Sequence, residues 1–161
     1  MAEIDTVIED ERWRDAGLEG LATRAGRATL DWLGMDADIT VLGCDDARIS
    51  VLNGDFRGKP QPTNVLSWPM VEHVAHAPGT IPPRPDTDEL GDIAIAYETC
   101  RHEAGAQRKP FADHVSHLLV HAMLHLAGYD HLNDADAGVM EDAERAILAP
   151  LGIADPYQEK D

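Results

Sequence analysis

The feature that most constrains this chain is a set of three histidines, His121, His125 and His131, placed around Gly128. Apolar residues recur at helical spacing before that glycine, which predicts a helix over residues 111–126. Four residues turn an α-helix by about 400°, so His121 and His125 project from the same face. Gly128 can take a left-handed conformation that breaks the helix and turns the chain back. His131 can then supply a third nitrogen beside the other two.

This spacing is typical of a metal site. Three protein nitrogens plus a water make an open tetrahedral zinc site, which is the catalytic rather than the structural type. The bound water in such a site has its pKa lowered to about 7. We therefore predict that His121, His125 and His131 hold one Zn²⁺ ion, although nickel, copper or iron suit similar ligands.

The remaining histidines are predicted to play lesser parts. His117 lies one turn before His121 and is a candidate fourth ligand, supporting group or general base. We favour a non-ligand role for it, because a catalytic site keeps one position open. His114 is predicted to be a solvated residue near the helix start. No chemistry is assigned to it or to three histidines predicted to lie in loops, His73, His76 and His102.

The histidine spacing resembles the extended zinc-protease pattern H-E-x-x-H-x-x-G-x-x-H, a zincin-like metal helix. Ala122 stands where those proteases carry the glutamate that acts as general base. An alanine cannot transfer protons, so the sequence argues against a peptidase mechanism. Met140 could lie beneath the metal as the methionine of such proteases does, but an ordinary core position in the last helix is the better prediction.

The rest of the chain predicts an α+β fold, a small mixed β-sheet packed with helices, in a single domain over residues 1–161. Strands are predicted at residues 4–10, 38–42, 64–68 and 92–97. Helices are predicted at 18–33, after a cap at Asp45, at 111–126 and at 134–148. Loops are predicted at 54–62, which includes Arg57, and at the Pro-rich stretch 78–85.

Composition restricts the compartment and the partners. Two distant cysteines, Cys44 and Cys100, form no disulfide framework, and the chain shows neither a secretory signal nor a long apolar run. We therefore expect a cytoplasmic protein with no membrane partner.

The net charge of −17 argues at first against nucleic acid as a partner. Twelve of those charges lie in residues 1–19 and 130–161, whereas windows 56–71 and 99–112 are each positive. Such a distribution permits RNA binding through a local basic funnel.

Several motifs resemble the YbeY family of bacterial endoribonucleases and rRNA maturation factors. The run H-A-M-L-H-L-A-G-Y-D-H over 121–131 is similar to that family's histidine motif, and the resemblance covers about residues 38–157. Four further features agree: Leu52-Asn53 with Phe56-Arg57, P-T-N-V-L-S-W-P over 62–69, L-G-D-I over 90–93, and Met140 and Glu144 with the ending 152–157. The departures, such as Ala122 for a usual glycine and Trp68 for a usual phenylalanine, remove no ligand.

The resemblance implies a metal held by His121, His125 and His131, cleavage of single-stranded RNA, 16S rRNA 3′-end maturation and ribosome quality control. It implies a ribosome or ribosomal subunit as partner, with no DNA. It also implies a catalytic role for Arg57, and an arginine fork can bind a phosphate and stabilise charge in the transition state. His117 and Asp130 are the candidates for proton transfer, and Asp130 can instead orient a ligand histidine.

Two other functions remain open from the sequence. The first is a non-catalytic ribosome-assembly factor with a structural metal, in which Arg57 docks rRNA. The second is a zinc metallopeptidase, which the missing glutamate makes the weaker alternative. Multiple cleavages per molecule distinguish an enzyme from an assembly factor, and a comparison of unfolded protein with single-stranded RNA as substrate distinguishes a peptidase from a nuclease.

Overall fold

The computed structural model describes residues 2–157, with every side chain among them except that of Phe56. The domain predicted for residues 1–161 also includes Met1 and residues 158–161, which lie outside the described part. The strands are β1 (Ile4–Ile8), β2 (Asp38–Cys44), β3 (Val65–Pro69) and β4 (Glu89–Ala96). The helices are α1 (Arg12–Asp15), α2 (Leu18–Leu33), α3 (Asp46–Arg57), α4 (Tyr97–Ala106), α5 (Phe111–Leu126) and α6 (Asp134–Leu148), followed by a 3-10 turn at Ala149–Leu151. The predicted α+β class is confirmed.

The four strands form one mixed sheet in the order β1-β2-β4-β3. β1, β2 and β4 are parallel, and β3 runs antiparallel to β4 at the edge. Gly91 lies where β4 shifts register against β2, and a side chain there would collide with the carbonyl of Trp68 on β3. The glycine of the L-G-D-I motif is therefore required by close packing of two strands.

Helices cover both faces of the sheet. Ile93 and Ile95 of β4 point into the larger core, which also contains buried residues of α2, α5 and α6. Ala94 and Ala96 point the other way, into a smaller cluster with Ile49 of α3. This alternation is what a strand buried on both faces requires. It fixes α5 against the sheet, beside the edge strand β3.

Local signals explain the ends of the helices. The Asp45 side chain accepts a hydrogen bond from the Arg48 backbone N–H at 2.8 Å and caps α3. Asn133 caps α6 in the same way, accepting from the Asp136 N–H at 2.8 Å. Each cap satisfies a backbone donor that the first helical turn leaves without a partner. No helix in the described part of the chain combines the length and apolarity needed to cross a bilayer.

Three local predictions are wrong. α3 continues to Arg57, so Arg57 lies in the last turn of a helix and not in the loop predicted for 54–62. α4 was not predicted, and it contains His102, which was expected in a loop. The strand predicted over 92–97 begins at Glu89 and ends at Ala96, where α4 takes over.

Residues 70–88, hereafter the β3–β4 segment, contain no helix or strand, in agreement with the prediction for 78–85. The segment nevertheless contacts the ends of three helices. His73 Nε2 lies 3.1 Å from the Leu126 carbonyl of α5, and the Gly79 N–H donates to Asp136 of α6 at 2.9 Å. Arg84 donates to the carbonyl of Gly34, just after α2, at 2.6 Å. The segment is therefore held against the helical side of the fold.

Candidate metal centre

Helix α5 brings the first two predicted ligands together. It spans Phe111–Leu126, as the spacing predicts, and buries its apolar face while His121 and His125 remain half-buried on the other. Their rings lie 4.6 Å apart between centroids, and the two Nε2 atoms are separated by 3.1 Å. The two Nε2 atoms therefore face each other at hydrogen-bond distance, close enough to bind one ion together.

Gly128 returns the chain to deliver the third histidine. Its φ of +105° lies in the region that favours glycine, and it packs beneath Pro82 of the β3–β4 segment. The His131 ring centroid lies 5.6 Å from that of His121 and 5.1 Å from that of His125. Asp130 Oδ1 accepts a hydrogen bond from the His131 backbone N–H at 2.7 Å, which fixes the turn.

The donor set fits a metal ion. One nitrogen from each of His121, His125 and His131 lies within 4.8 Å of the others. Ligands of a tetrahedral zinc ion, bound at about 2.0–2.1 Å, lie roughly 3.3 Å apart. The 3.1 Å between the Nε2 atoms of His121 and His125 is close to that value. Burial, followed by the nearby His121 and His131, lowers the pKa of His125 to about 4. His125 is therefore neutral at pH 7, as a ligand must be.

A buried carboxylate supports the first histidine from behind. Glu144 of α6 is 0% exposed. Its Oε1 accepts from His121 Nδ1 and from His117 Nε2, both at 2.9 Å, and its Oε2 accepts from the Tyr157 hydroxyl at 2.6 Å. Burial alone would raise the pKa of Glu144, but the hydrogen bonds from His117, His121 and Tyr157 outweigh it and hold the pKa at about 2. A charged Glu144 fixes the Nδ1–H tautomer of His121 and leaves Nε2 free for a metal.

His117 contacts this carboxylate rather than the histidine set. His117, His121 and Glu144 could themselves hold an ion, since their donor atoms also lie within 4.8 Å of one another. Their separations of 2.9 Å are, however, those of direct hydrogen bonds. The contacts favour the supporting role for His117 among the three that the sequence left open.

The histidines lie on the floor of an open cleft of about 620 Å³. Such a volume is typical of ligand sites. Arg57, in the last turn of α3, lines the cleft together with residues of the edge strand β3. Among the described residues that line it, Arg57 is the one lysine or arginine and Asp130 the one acid. The cationic side chains of window 99–112 lie elsewhere: Arg101 stacks over Phe111 at 3.9 Å, and Lys109 Nζ donates to the Pro156 carbonyl at 3.3 Å.

Several predictions about individual residues can be compared with their positions. His114 is not solvated: it is 4% exposed, and its Nε2 lies 2.9 Å from Glu103 of α4. Met140 is a core residue, as predicted. No role was predicted for His73, which lines the cleft from a loop, and Glu144 and Tyr157 were predicted only as parts of a family pattern. Glu144 was detectable, because an acid at that position interrupts the apolar face of α6 formed by Met140 and Ile147.

Fold and site together define an α+β protein with a candidate three-histidine metal centre on α5 and the turn that follows it, open to a cleft that Arg57 also lines. The family model described as Endoribonuclease YbeY matches residues 5–152. The chain belongs to this endoribonuclease family.

Individual relatives agree with the family match. The chain is 65% identical over 157 residues to Endoribonuclease YbeY of Paracoccus denitrificans, covering 97% of this chain and 90% of the relative. It is 55% identical over 163 residues to the protein of the same name from Cereibacter sphaeroides, covering 96% and 98%. The solution structure of TM1509 from Thermotoga maritima covers 97% of this chain and 99% of its own, with a TM-score of 0.58 and 22% identity. At that identity the structural similarity shows the fold.

Proposed function

We propose that this protein is a zinc-dependent endoribonuclease that cleaves single-stranded RNA, acts in 16S rRNA 3′-end maturation and takes part in ribosome quality control. The observation that carries the proposal is the convergence of His121, His125 and His131 on the floor of an open cleft. Membership of the endoribonuclease family supports RNA as the substrate class. The proposal includes one domain, a cytoplasmic location, the ribosome or a ribosomal subunit as partner, and no DNA or membrane partner.

His121, His125 and His131 are the proposed metal ligands, and the three imidazoles favour zinc among the divalent ions. A zinc ion in this position supplies an activated water and polarises a phosphoryl oxygen. The chain contributes the neutral state of His125, which burial maintains, and the tautomer of His121, which Glu144 fixes. The Glu144 contact thus keeps the lone pair of His121 on Nε2, the nitrogen that faces the centre of the site.

Arg57 is the proposed catalytic arginine. Its position on the cleft wall suits a guanidinium that grips the scissile phosphate with two parallel N–H donors. Such a fork also stabilises the negative charge that grows on the phosphoryl oxygens in the transition state.

Asp130 is our preferred proton-transfer group. Both His117 and Asp130 line the cleft, but the Nε2 of His117 is hydrogen-bonded to Glu144 and its Nδ1 is buried.

The same geometry weighs against the peptidase alternative. Ala122 lines the cleft, but its methyl side chain has no group that can transfer a proton. Glu144 cannot substitute for the missing glutamate, because it lies behind His121 and all of its described contacts are with His117, His121 and Tyr157. A non-catalytic assembly factor remains the alternative that turnover distinguishes.

Elemental analysis paired with a nuclease assay tests the proposal. We expect the purified wild type to carry about one zinc per chain and to cleave single-stranded RNA with multiple turnovers. His121→Ala and His125→Ala are expected to lose both metal and cleavage. His102→Ala, an exposed position on α4, is the matched control and is expected to keep both. Full cleavage by a metal-free His121→Ala protein would disprove the proposal, and cleavage of unfolded protein in place of RNA would favour the peptidase.

A further inference from the structure

Tyr157 is an exposed aromatic residue at the side of the cleft. It is 38% exposed, and it is the one phenylalanine, tyrosine or tryptophan among the described residues that line the cleft. An exposed tyrosine whose hydroxyl is fully engaged is available for contact through its ring. We propose that Tyr157 is a stacking platform for one unpaired base of the RNA strand, a role that rests on the proposed function.

The ring is held in place before any ligand arrives. Its hydroxyl donates to Glu144 Oε2 at 2.6 Å and lies 3.4 Å from His117 Nε2. The His117 and Tyr157 rings are 5.5 Å apart and nearly perpendicular, at 86°. The Tyr157 backbone N–H also donates to Asp155 Oδ1 at 2.9 Å. A side chain fixed in this way loses little conformational entropy when a base stacks on it.

One face of the ring is already covered. The Arg145 guanidinium lies over it, 5.4 Å from the centroid, and Arg145 is itself held by Asp155 at 3.0 Å and Asp142 at 2.9 Å. The hydroxyl edge meets Glu144 and His117. The proposed contact surface is the ring face opposite Arg145, since Tyr157 lines the cleft and more than a third of the residue's surface is exposed.

Base stacking offers this acidic protein a source of RNA affinity that does not depend on positive charge. Most affinity for nucleic acid comes from phosphate contacts, but the chain carries a net charge of −17 and the described cleft offers one arginine. Stacking of a base on an aromatic ring supplies affinity without cationic side chains and tolerates any base, since every base has a π-face. Only an unpaired base presents that face, so Tyr157 selects single strands over duplexes.

The platform also lies beside the chemistry. The Tyr157 ring packs on His117, whose ring is 6.3 Å from that of the proposed ligand His121. A base seated on Tyr157 therefore places the neighbouring phosphate group of the same strand near the histidine set. The subsite would thus position the nucleotide next to the scissile bond.

Tyr157→Phe and Tyr157→Leu test this role. Both variants lack the hydroxyl, but only the Phe variant keeps an aromatic ring. The zinc-loaded proteins are compared on a short single-stranded RNA and on copies with one abasic nucleotide at each successive position. We expect the Leu variant to have a KM roughly 5- to 150-fold above that of the Phe variant, with similar kcat, from the usual strength of one stacked base. One abasic position should raise KM for the Phe variant by the same factor and leave the Leu variant unchanged. Equal metal content in the two variants excludes a change at the ligands.

Stacking can also be measured without cleavage. For this, 2-aminopurine is placed in the same RNA at the position where the abasic nucleotide raises KM, and quenching of its fluorescence is recorded. Quenching by the Phe variant but not by the Leu variant supports the stacking platform. This holds even if the wild type cleaves no RNA, because a lack of cleavage would disprove only the proposed nuclease activity. Cleavage with equal KM and equal quenching for Phe and Leu would overturn the platform and leave the nuclease proposal intact. A Phe–Leu difference seen with an unfolded peptide and absent with RNA would also overturn it.

Discussion

Glu144 Oε1 lies 2.9 Å from Nδ1 of His121, on the side of the imidazole away from His125. The carboxylate is buried and ionised, so the proton of the imidazole is held on Nδ1 and its lone pair on Nε2. One contact between α5 and α6 thus decides which nitrogen the site presents.

We expect Glu144→Gln to weaken zinc binding about 10- to 100-fold, the usual effect of losing a carboxylate behind a ligand histidine. A glutamine keeps the shape of the side chain but has no negative charge. It also has one acceptor oxygen in place of the two that accept from His117, His121 and Tyr157. Competition with a chromogenic chelator measures the affinity. Glu141→Gln, on the same helix but half-buried beside Arg145, is the control and should bind as the wild type does. Unchanged affinity in Glu144→Gln would remove the positioning role of Glu144.

Arg57→Ala and Arg57→Lys should both lower kcat/KM for RNA, by roughly 10²-fold, while zinc content stays at the wild-type level. Lysine is not expected to restore activity, since a point charge cannot form the two parallel hydrogen bonds of a guanidinium. Steady-state cleavage with metal analysis on the same samples measures both effects. Lys59→Ala is the control, an exposed cation two residues away that does not line the cleft. A fully active Arg57→Lys would show that charge alone suffices.

Replacement of Gly128 should strain the turn that carries His131. Its φ of +105° disfavours any side chain, and left-handed backbone costs roughly 1–2 kcal/mol per residue. An added Cβ would meet Pro82 at 3.4 Å, an ordinary contact, so the cost lies in the backbone. We expect Gly128→Ala to lower the free energy of unfolding in urea and to weaken zinc binding. Gly138→Ala, at an open position within α6, should instead stabilise the protein by about 0.5–1 kcal/mol.

The two cysteines should resist thiol reagents in the native protein. Burial raises the pKa of Cys44 to about 12, and burial likewise raises the pKa of Cys100. A raised pKa leaves almost no thiolate, the reactive form, until the pH approaches that value. We expect no labelling by Ellman's reagent at pH 8 in the folded state and two labelled thiols per chain after denaturation. Rapid labelling of the folded protein at pH 8 would contradict the burial of both side chains.

The elements with strong periodicity were predictable, and those fixed by distant partners were not. α2, α5 and α6 have the bounds that the sequence predicts, because their apolar residues repeat over four turns and their ends carry Gly34, Gly128 or Asn133. α4 has two buried residues, Cys100 and Ala104, which is too short a pattern to reveal a helix.

The wrong prediction for His114 and the missing role for Glu144 also result from partners that are distant in sequence. His114 was misjudged because its hydrogen-bond partner, Glu103, lies on α4, which was not predicted. The histidine set was visible because its members are close in sequence. The contacts of Glu144 with His117 and His121 span 27 and 23 residues, so the sequence could indicate an acid on an apolar face without naming its partners.

The β3–β4 segment has a practical consequence for work with this protein. On sequence alone, its prolines and lack of regular structure mark it as a natural place for an epitope tag, a protease site or a shortened linker. It contacts the ends of three helices through Leu126, Asp136 and Gly34, one of them the helix that carries His121 and His125, so an insertion or deletion here disturbs these contacts. Its prolines also restrict the unfolded chain, so the segment is ordered at a low entropic cost that a glycine-rich replacement would not match. Tags therefore belong at positions away from these residues.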